Sequence, residues 1–206
     1  PLLNLIRMQK ESVEIDALQK AIDITEKAFR RILKFTKPGV FEYEIEAELI
    51  HEFIRNRSNG FAYTPIIASG SNACVLHYIE NTLACKDGDM LLLDVGACYA
   101  NYNADMTRTI PVNGRFTKRQ KQVYEAVNDV LNFATQHMTV GIYWVDYQNE
   151  IEKYMESKLI DLGLFTRKEV ENQDKHQPLF KKYFMHGAAH HLGIDVHDVW
   201  DKYKPF

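Results

Sequence analysis

Apolar residues recur at helical spacing through the N-terminal part of the chain. A first amphipathic helix is predicted to begin at Ser12, which can cap it, and to end before Pro38 and Gly39. Its predicted inward residues are Ile15, Leu18, Ile22, Phe29, Ile32 and Leu33. A second helix is predicted over residues 42–57, closed by Asn59 and Gly60. Its predicted inward residues are Ile45, Leu49, Ile50, Phe53 and Ile54.

Between Phe61 and Val112 the pattern changes to short β-prone runs separated by turn residues. The turn signals are Asp87-Gly88 and Asn113-Gly114. Strands are predicted at residues 66–68, 73–77, 90–95, 99–103 and 107–111.

Helical spacing returns after this block. Thr117 and Gln120 form a capping box that opens a long helix, with a predicted inward face of Val123, Val127, Val130, Leu131 and Ala134. A further helix is predicted from Asp146 to Gly163, carrying Ile151, Tyr154, Met155 and Leu159. Helices that flank a block of strands without strict alternation predict the α+β class.

Composition excludes several classes of protein. A chain of 206 residues suits one large domain or two small ones, and 46% hydrophobic with 26% charged residues is typical of globular proteins. A formal net charge of −3 gives no reason to expect nucleic acid or an anionic membrane as partner. No apolar run approaches the roughly 20 residues that span a bilayer. The start at Pro1 lacks an initiator Met and a signal peptide, so we expect a piece of a longer protein or a processed one.

The cysteines indicate a reducing compartment. Cys74, Cys85 and Cys98 are odd in number and lack CxxC spacing, which argues against a disulfide framework and a structural zinc site. Reduced thiols in a cytoplasmic protein are the simplest interpretation. A reactive cysteine is the alternative, although most lone cysteines in strand-like contexts are small core residues.

Four of the eight histidines lie in one stretch near the C-terminus: His186, His190, His191 and His197. Imidazole is the commonest metal ligand and titrates near neutral pH. The alternative interpretation is a surface loop or a chance metal-binding tract, since short histidine-rich matches often mislead.

Two aspartates upstream of the histidines favour a metal site over a surface loop or a chance histidine tract. Asp94 follows an apolar run and is expected at the end of a buried strand, where a lone carboxylate is costly unless a cation pairs with it. Asp105 lies eleven residues on, a spacing that two neighbouring strands can bring together. Singly, Asp94 could cap the turn before Gly96, and Asp105 could pair with Arg108. Together with the histidines they favour a metal site.

These residues carry a resemblance that extends over nearly the whole chain. The segments are EIDALQKA at 14–21, ASGSNACVLHYIEN at 68–81, DVG at 94–96, DMTRTIPVNGRF at 105–116 and HGAAHHLGIDVHD at 186–198. In this order they closely resemble the catalytic domain of Xaa-Pro aminopeptidases. These belong to the pita-bread metallopeptidase family, together with prolidases and methionine aminopeptidases. The resemblance implies a pita-bread fold, with a curved, largely antiparallel sheet and helices packed outside it.

The resemblance also implies roles for individual residues. Asp94, Asp105 and His190 would be ligands of a dinuclear metal centre, with Asp105 bridging the two ions. The ions would most simply be Mn²⁺, with Co²⁺ or Zn²⁺ as substitutes, and would hold a bridging hydroxide. His77, His186 and His197 would face the substrate and stabilise developing charge or transfer protons. His191 would have neither role.

The implied activity is hydrolysis of the bond between an N-terminal residue and proline. The implied partners are peptides with proline at the second position, and a homodimer is one candidate assembly. A prolidase limited to Xaa-Pro dipeptides, or a non-catalytic peptide-binding or assembly module, are the alternatives.

The chain stops before the two glutamate ligands that the resemblance implies, and Glu80 matches neither of them. Residues 1–206 are therefore expected to form a partial catalytic domain, incomplete at its C-terminus. By itself the piece is expected to bind metal weakly, to be a poor catalyst, and to expose an aggregation-prone sheet edge.

Overall fold

The computed structural model describes residues 2–201 and residue 205 of the chain. These residues form two compact units. The first contains residues 2–116 together with His191–Trp200, and the second contains Thr117–His190 together with Asp201 and Pro205.

The first unit combines helices with two small sheets. Its helices are α1 (Leu2–Met8), α2 (Ser12–Phe35) and α3 (Glu42–Arg55). Its strands are β1 (Gly60–Phe61), β2 (Ile66–Ser69), β3 (Met90–Val95), β4 (Ala97–Tyr99), β5 (Tyr102–Asn103) and β6 (Met106–Pro111), with a 3₁₀ helix (Gly70–Cys74) after β2. One sheet has the order β2-β3-β6 and the other β1-β4-β5, and every pairing is antiparallel.

Strand β3 is the central strand of its sheet, and its side chains point alternately to the core and to the opposite face. Leu91, Leu93 and Val95 are fully buried against α2 and α3, so the intervening residues Leu92 and Asp94 face the opposite side of the sheet. Helices with antiparallel sheets confirm the predicted α+β class.

The second unit is helical. It contains α4 (Lys118–His137), α5 (Trp144–Asp161), α6 (Arg167–Glu171) and a 3₁₀ helix (Leu179–Lys182). The predicted capping box is confirmed, because Thr117 accepts a hydrogen bond from the Gln120 N–H and Gln120 accepts one from the Thr117 N–H. Its core contains Val130, Ala134, Tyr147, Ile151, Met155, Leu159, Phe165 and Phe180.

The predicted inward face of α2 was wrong in part. Ile15, Ile22 and Leu33 are exposed, and the buried residues are Ala21, Ile24, Thr25, Ala28 and Ile32. The small side chains and Thr25, whose hydroxyl accepts the Ala97 N–H at 2.9 Å, let α2 approach β4 closely. Tertiary packing thus selected a different face from the one that hydrophobicity alone indicates.

Smaller differences concern other helix faces and caps. The residues Ile50, Ile54, Val123, Val127 and Leu131 are exposed although they were predicted inward. The residue that caps α2 is Glu11 and not the predicted Ser12, which is the first residue of the helix. The Glu11 N–H donates to the Glu14 carboxylate at 2.7 Å. Helix α5 begins two residues before Asp146.

Two strand predictions were also wrong. Residues 73–77 form the end of a 3₁₀ helix and a turn instead of a strand. The run 99–103 is two strands separated by Ala100 and Asn101, both with positive φ, a geometry that reverses the chain tightly.

Candidate active site

Strand register brings the two predicted aspartates together. Asp94 pairs with Thr107 across β3 and β6, and Val95 pairs with Met106, so Asp105 lies just beyond the paired end of β6. Between them the β4–β5 hairpin turns the chain back. The eleven-residue spacing therefore spans one hairpin, and it returns the second carboxylate to the end of the strand that carries the first.

Tyr63 joins the two carboxylates. Its hydroxyl lies 2.7 Å from Asp94 Oδ1 and 2.9 Å from Asp105 Oδ1. Burial, reinforced by the hydrogen bond to Asp94 and the charges of both aspartates, raises the pKa of the Tyr63 phenol far above its ordinary value. The phenol therefore stays protonated, and its single hydrogen is shared between two carboxylate oxygens.

The electrostatics of the pair favour a cation. Burial raises the pKa of Asp94 above its ordinary value, and the Asp105 charge adds to the rise, while hydrogen bonds from Tyr63 and Thr107 oppose it. A partly buried carboxylate whose pKa is raised by burial and by a neighbouring negative charge is stabilised as an anion when a positive ion lies beside it.

The carboxylates open into a cavity of about 410 Å³. Asp94, Asp105, His77 and His197 all line it, so four of the six predicted site residues meet in the first unit. Its apolar lining includes Ile66, Ile79 and Val196. A cavity with apolar walls and a few converging polar groups is the usual form of a small-ligand site.

His77 is held in a strained conformation. Its φ is +55°, in the left-handed region that non-glycine residues rarely adopt. The segment around it is anchored by Glu42, which is fully buried on α3. Glu42 accepts hydrogen bonds from the Ser69 N–H at 2.7 Å, the Tyr78 hydroxyl at 2.7 Å and the Leu83 N–H at 3.0 Å. These bonds tie both ends of the His77 loop to one helix.

Replacing Glu42 with glutamine is expected to lower the free energy of unfolding by about 2–3 kcal/mol. Each carboxylate oxygen receives at least one buried donor, and an amide –NH₂ on either side would face a donor instead of accepting from it. The midpoint of urea unfolding measures the change. Glu48→Gln on the same helix is the matched control, since Glu48 forms a partly exposed ion pair with Arg31 and its loss should cost below about 1 kcal/mol. Equal effects of the two substitutions would contradict the anchoring role.

His186 and His190 belong to the second unit. The segment that carries them is attached to that unit through Ala188, whose N–H donates to the Gln148 side chain at 2.8 Å, and through Ala188 and Ala189, which pack against its core. His191 belongs to the first unit and stacks on Trp200 with ring centroids 6.3 Å apart.

The donor chemistry fits a divalent metal ion as far as Asp94 and Asp105 are concerned. Carboxylate oxygens suit hard and borderline cations. Within residues 2–201 and residue 205, no group of three or more His, Cys, Asp or Glu side chains is close enough to hold a metal ion. The described residues therefore supply the carboxylate pair of such a site and not a full ligand set.

Sequence reasoning missed Tyr63 and Thr107. Tyr63 lies in an irregular segment before β2 and carries no motif of its own. Thr107 could have been identified from the strand pairing, because a residue opposite Asp94 in an antiparallel pair lies within hydrogen-bonding reach. Tyr63 could be identified only from the pairing of β2 with β3, because the pairing of Ile66 with Asp94 brings the segment just before β2 close to the Asp94 carboxylate.

Comparison with known proteins identifies the class. Residues 16–206 match Metallopeptidase family M24. The chain belongs to this family, which uses divalent metal ions.

Two kinds of relative support this assignment. The chain is 39% identical over 201 residues to the Xaa-Pro aminopeptidase of Escherichia coli (strain K12), covering 97% of this chain and 45% of that protein. Its fold is similar to a variant of Escherichia coli aminopeptidase P in complex with substrate and to the zinc-substituted enzyme in complex with product. Both structures have a TM-score of 0.90 and 38% identity, over 98% of this chain and 45% of each relative. The chain thus spans about half the length of the relatives it matches. In the described part of the chain, no helix is long and apolar enough to cross a membrane.

Proposed function

We propose that residues 1–206 form part of the catalytic domain of an Xaa-Pro aminopeptidase, a metal-dependent hydrolase that cleaves the bond between an N-terminal residue and proline. The observation that carries the proposal is the convergence of Asp94 and Asp105 on Tyr63 in a cavity that His77 and His197 also line. The 39% identity to an Xaa-Pro aminopeptidase supports the same activity.

Asp94, Asp105 and His190 are the proposed metal ligands, with Asp105 shared between two ions. Carboxylates combined with imidazole suit Mn²⁺, our proposed native metal, and also Co²⁺ or Zn²⁺. When bound, the ions would supply a water of lowered pKa and polarise the scissile carbonyl. Tyr63 and Thr107 orient the carboxylates through the hydrogen bonds described above, a supporting role that metal ligands generally require.

The histidines act on the substrate in this proposal. His77 and His197 line the cavity beside the carboxylates, where an imidazole can donate to the scissile region or move a proton to the leaving amine. His186 is proposed as a third such group from its place in the HGAAH segment. The strained backbone of His77 is consistent with a functional constraint at that residue.

The proposed partners are peptides with proline in the second position. A substrate complex of a related aminopeptidase P supports a peptide ligand, and a homodimer is the proposed assembly. Neither nucleic acid nor a membrane surface is a proposed partner, given the net charge of −3. Cys74, Cys85 and Cys98 are all free thiols, which supports the proposed cytoplasmic location.

The activity is tested on the full-length, Mn²⁺-loaded protein with Xaa-Pro-Yaa tripeptides and Xaa-Pro dipeptides. Cleavage of the tripeptides, lost with a chelator and regained with Mn²⁺, is the expected result. Cleavage of dipeptides alone would replace the proposal with a prolidase. Binding of the peptides without cleavage of either substrate would indicate a non-catalytic module.

A further inference from the structure

The loop of residues 191–198, at the end of the histidine-rich stretch, is attached to the N-terminal part of the chain. Asp198 is buried, with its side chain 1% exposed. Lys10 Nζ donates to its Oδ2 at 2.6 Å, and Arg7 Nη2 donates to its Oδ1 at 2.5 Å. Arg7 also contacts Asp195 at 2.6 Å, but the Asp195 side chain is 62% exposed. The two cations come from α1 and from the segment between α1 and α2.

Asp198 also connects the two ends of the loop, through its backbone and through its carboxylate. The Asp198 N–H donates to the His191 carbonyl at 3.0 Å. A Cβ at Gly193 would overlap the Asp198 carboxylate, so the carboxylate packs directly on the Gly193 backbone. Burial acts to raise the pKa of Asp198, but its hydrogen bonds with Lys10, with the Val199 N–H and with Arg7, together with the charge of Lys10, outweigh burial and hold the pKa below its ordinary value. The group that closes the loop is therefore an anion.

The opposite edge of the loop is attached to the strand that leads to Asp105. The Asn103 N–H donates to the Gly193 carbonyl at 3.0 Å, and Asn103 Nδ2 donates to the Ile194 carbonyl at 2.5 Å. Asn103 is on β5, two residues before Asp105. Between these two attachments, Val196 and His197 line the cavity that contains Asp94 and Asp105.

We propose that Arg7 and Lys10 are positioning residues, which hold His197 toward the carboxylate pair by binding the buried Asp198. This inference rests on the proposed function, because it gives His197 a task in catalysis. His197 lies between Val196, which lines the cavity, and Asp198, so a shift of the Asp198 backbone moves the His197 imidazole relative to the carboxylate pair. A displacement of about 1 Å at a positioned group can cost roughly 100-fold in rate.

The test uses the full-length, metal-loaded protein and an Xaa-Pro-Yaa substrate. Lys10→Met keeps the length of the side chain and removes its charge, and it is expected to lower kcat about tenfold with KM changed less than about twofold. Lys10→Arg should restore most of kcat. Lys20→Met, at an exposed position of α2, is the matched control and should leave both constants unchanged.

A double-mutant cycle distinguishes positioning from a general loss of stability. In a His197→Ala background, Lys10→Met should lower kcat by less than about twofold, because the group that it positions is already absent. If the tenfold loss persists in that background, Lys10 does not act through His197 and the proposal is overturned.

Hydrogen exchange tests the same attachment without activity. The amides of residues 191–198 should exchange about tenfold faster in Lys10→Met than in Lys20→Met, while the amides of β3 stay unchanged. Equal exchange of the loop in both variants would overturn the positioning role. If the unsubstituted protein cleaves no Xaa-Pro peptide, the proposed function fails, and the exchange measurement still decides whether Lys10 holds the loop.

Discussion

Replacement of Asp105 with asparagine is expected to lower kcat/KM for Xaa-Pro-Yaa peptides by at least about 100-fold, since even outer partners of metal ligands contribute 10–100-fold. Asparagine keeps the shape of the side chain but removes its charge and one anionic oxygen. The Asp94 carboxylate would then face a neutral amide instead of a second carboxylate, and the attraction of the site for a divalent cation would fall.

Two measurements check this expectation in the full-length protein: the kinetics of tripeptide cleavage, and titration of Mn²⁺ by calorimetry. Asp16→Asn, an exposed aspartate of α2, removes the same charge away from the site and should alter neither quantity. Unchanged metal affinity in Asp105→Asn would show that Asp105 is not a ligand.

Replacing Gly96 with alanine is expected to lower the free energy of unfolding by about 3 kcal/mol or more, at the upper end of what overpacking costs. A Cβ at this position would overlap the Ala104 carbonyl oxygen and would meet the Tyr63 ring at 3.1 Å. A backbone carbonyl cannot rotate away as a side chain can, so the strands themselves must separate. Their separation would move Asp105 away from Asp94, and we expect metal affinity to fall as well.

Urea unfolding measures the stability of this variant. Gly187→Ala is the matched control, because a Cβ there meets its nearest atom only at 3.9 Å, and its effect should stay within about 1 kcal/mol. A Gly96→Ala protein as stable as the unsubstituted one would mean that the close approach of Gly96 to Ala104 is not required by the fold.

The helices and the central strand could be predicted because their signals are local. The capping box at Thr117 and Gln120 and the strand at residues 90–95 occur where the pattern places them. The packing faces of α2 and α4 could not be predicted, because apolar residues lie on several sides of each helix and the partner surface decides which are buried. Residues 73–77 have strand-like composition, but the buried Glu42 carboxylate ties their neighbours Ser69 and Tyr78 to α3.

For the candidate site, the chemical groups can be read from the chain: Asp94, Asp105 and the histidines, in an order that indicates a metallopeptidase. Which of these groups lie together depends on the packing of the folded chain. Antiparallel register brings Asp105 back to Asp94, and Tyr63 reaches both from a segment without a motif. The ion pairs of Asp198 with Arg7 and Lys10 connect residues about 190 positions apart. The reason is physical: residue types and local spacing are written along the chain, whereas contacts between distant side chains exist only after the strands have paired and the core has packed.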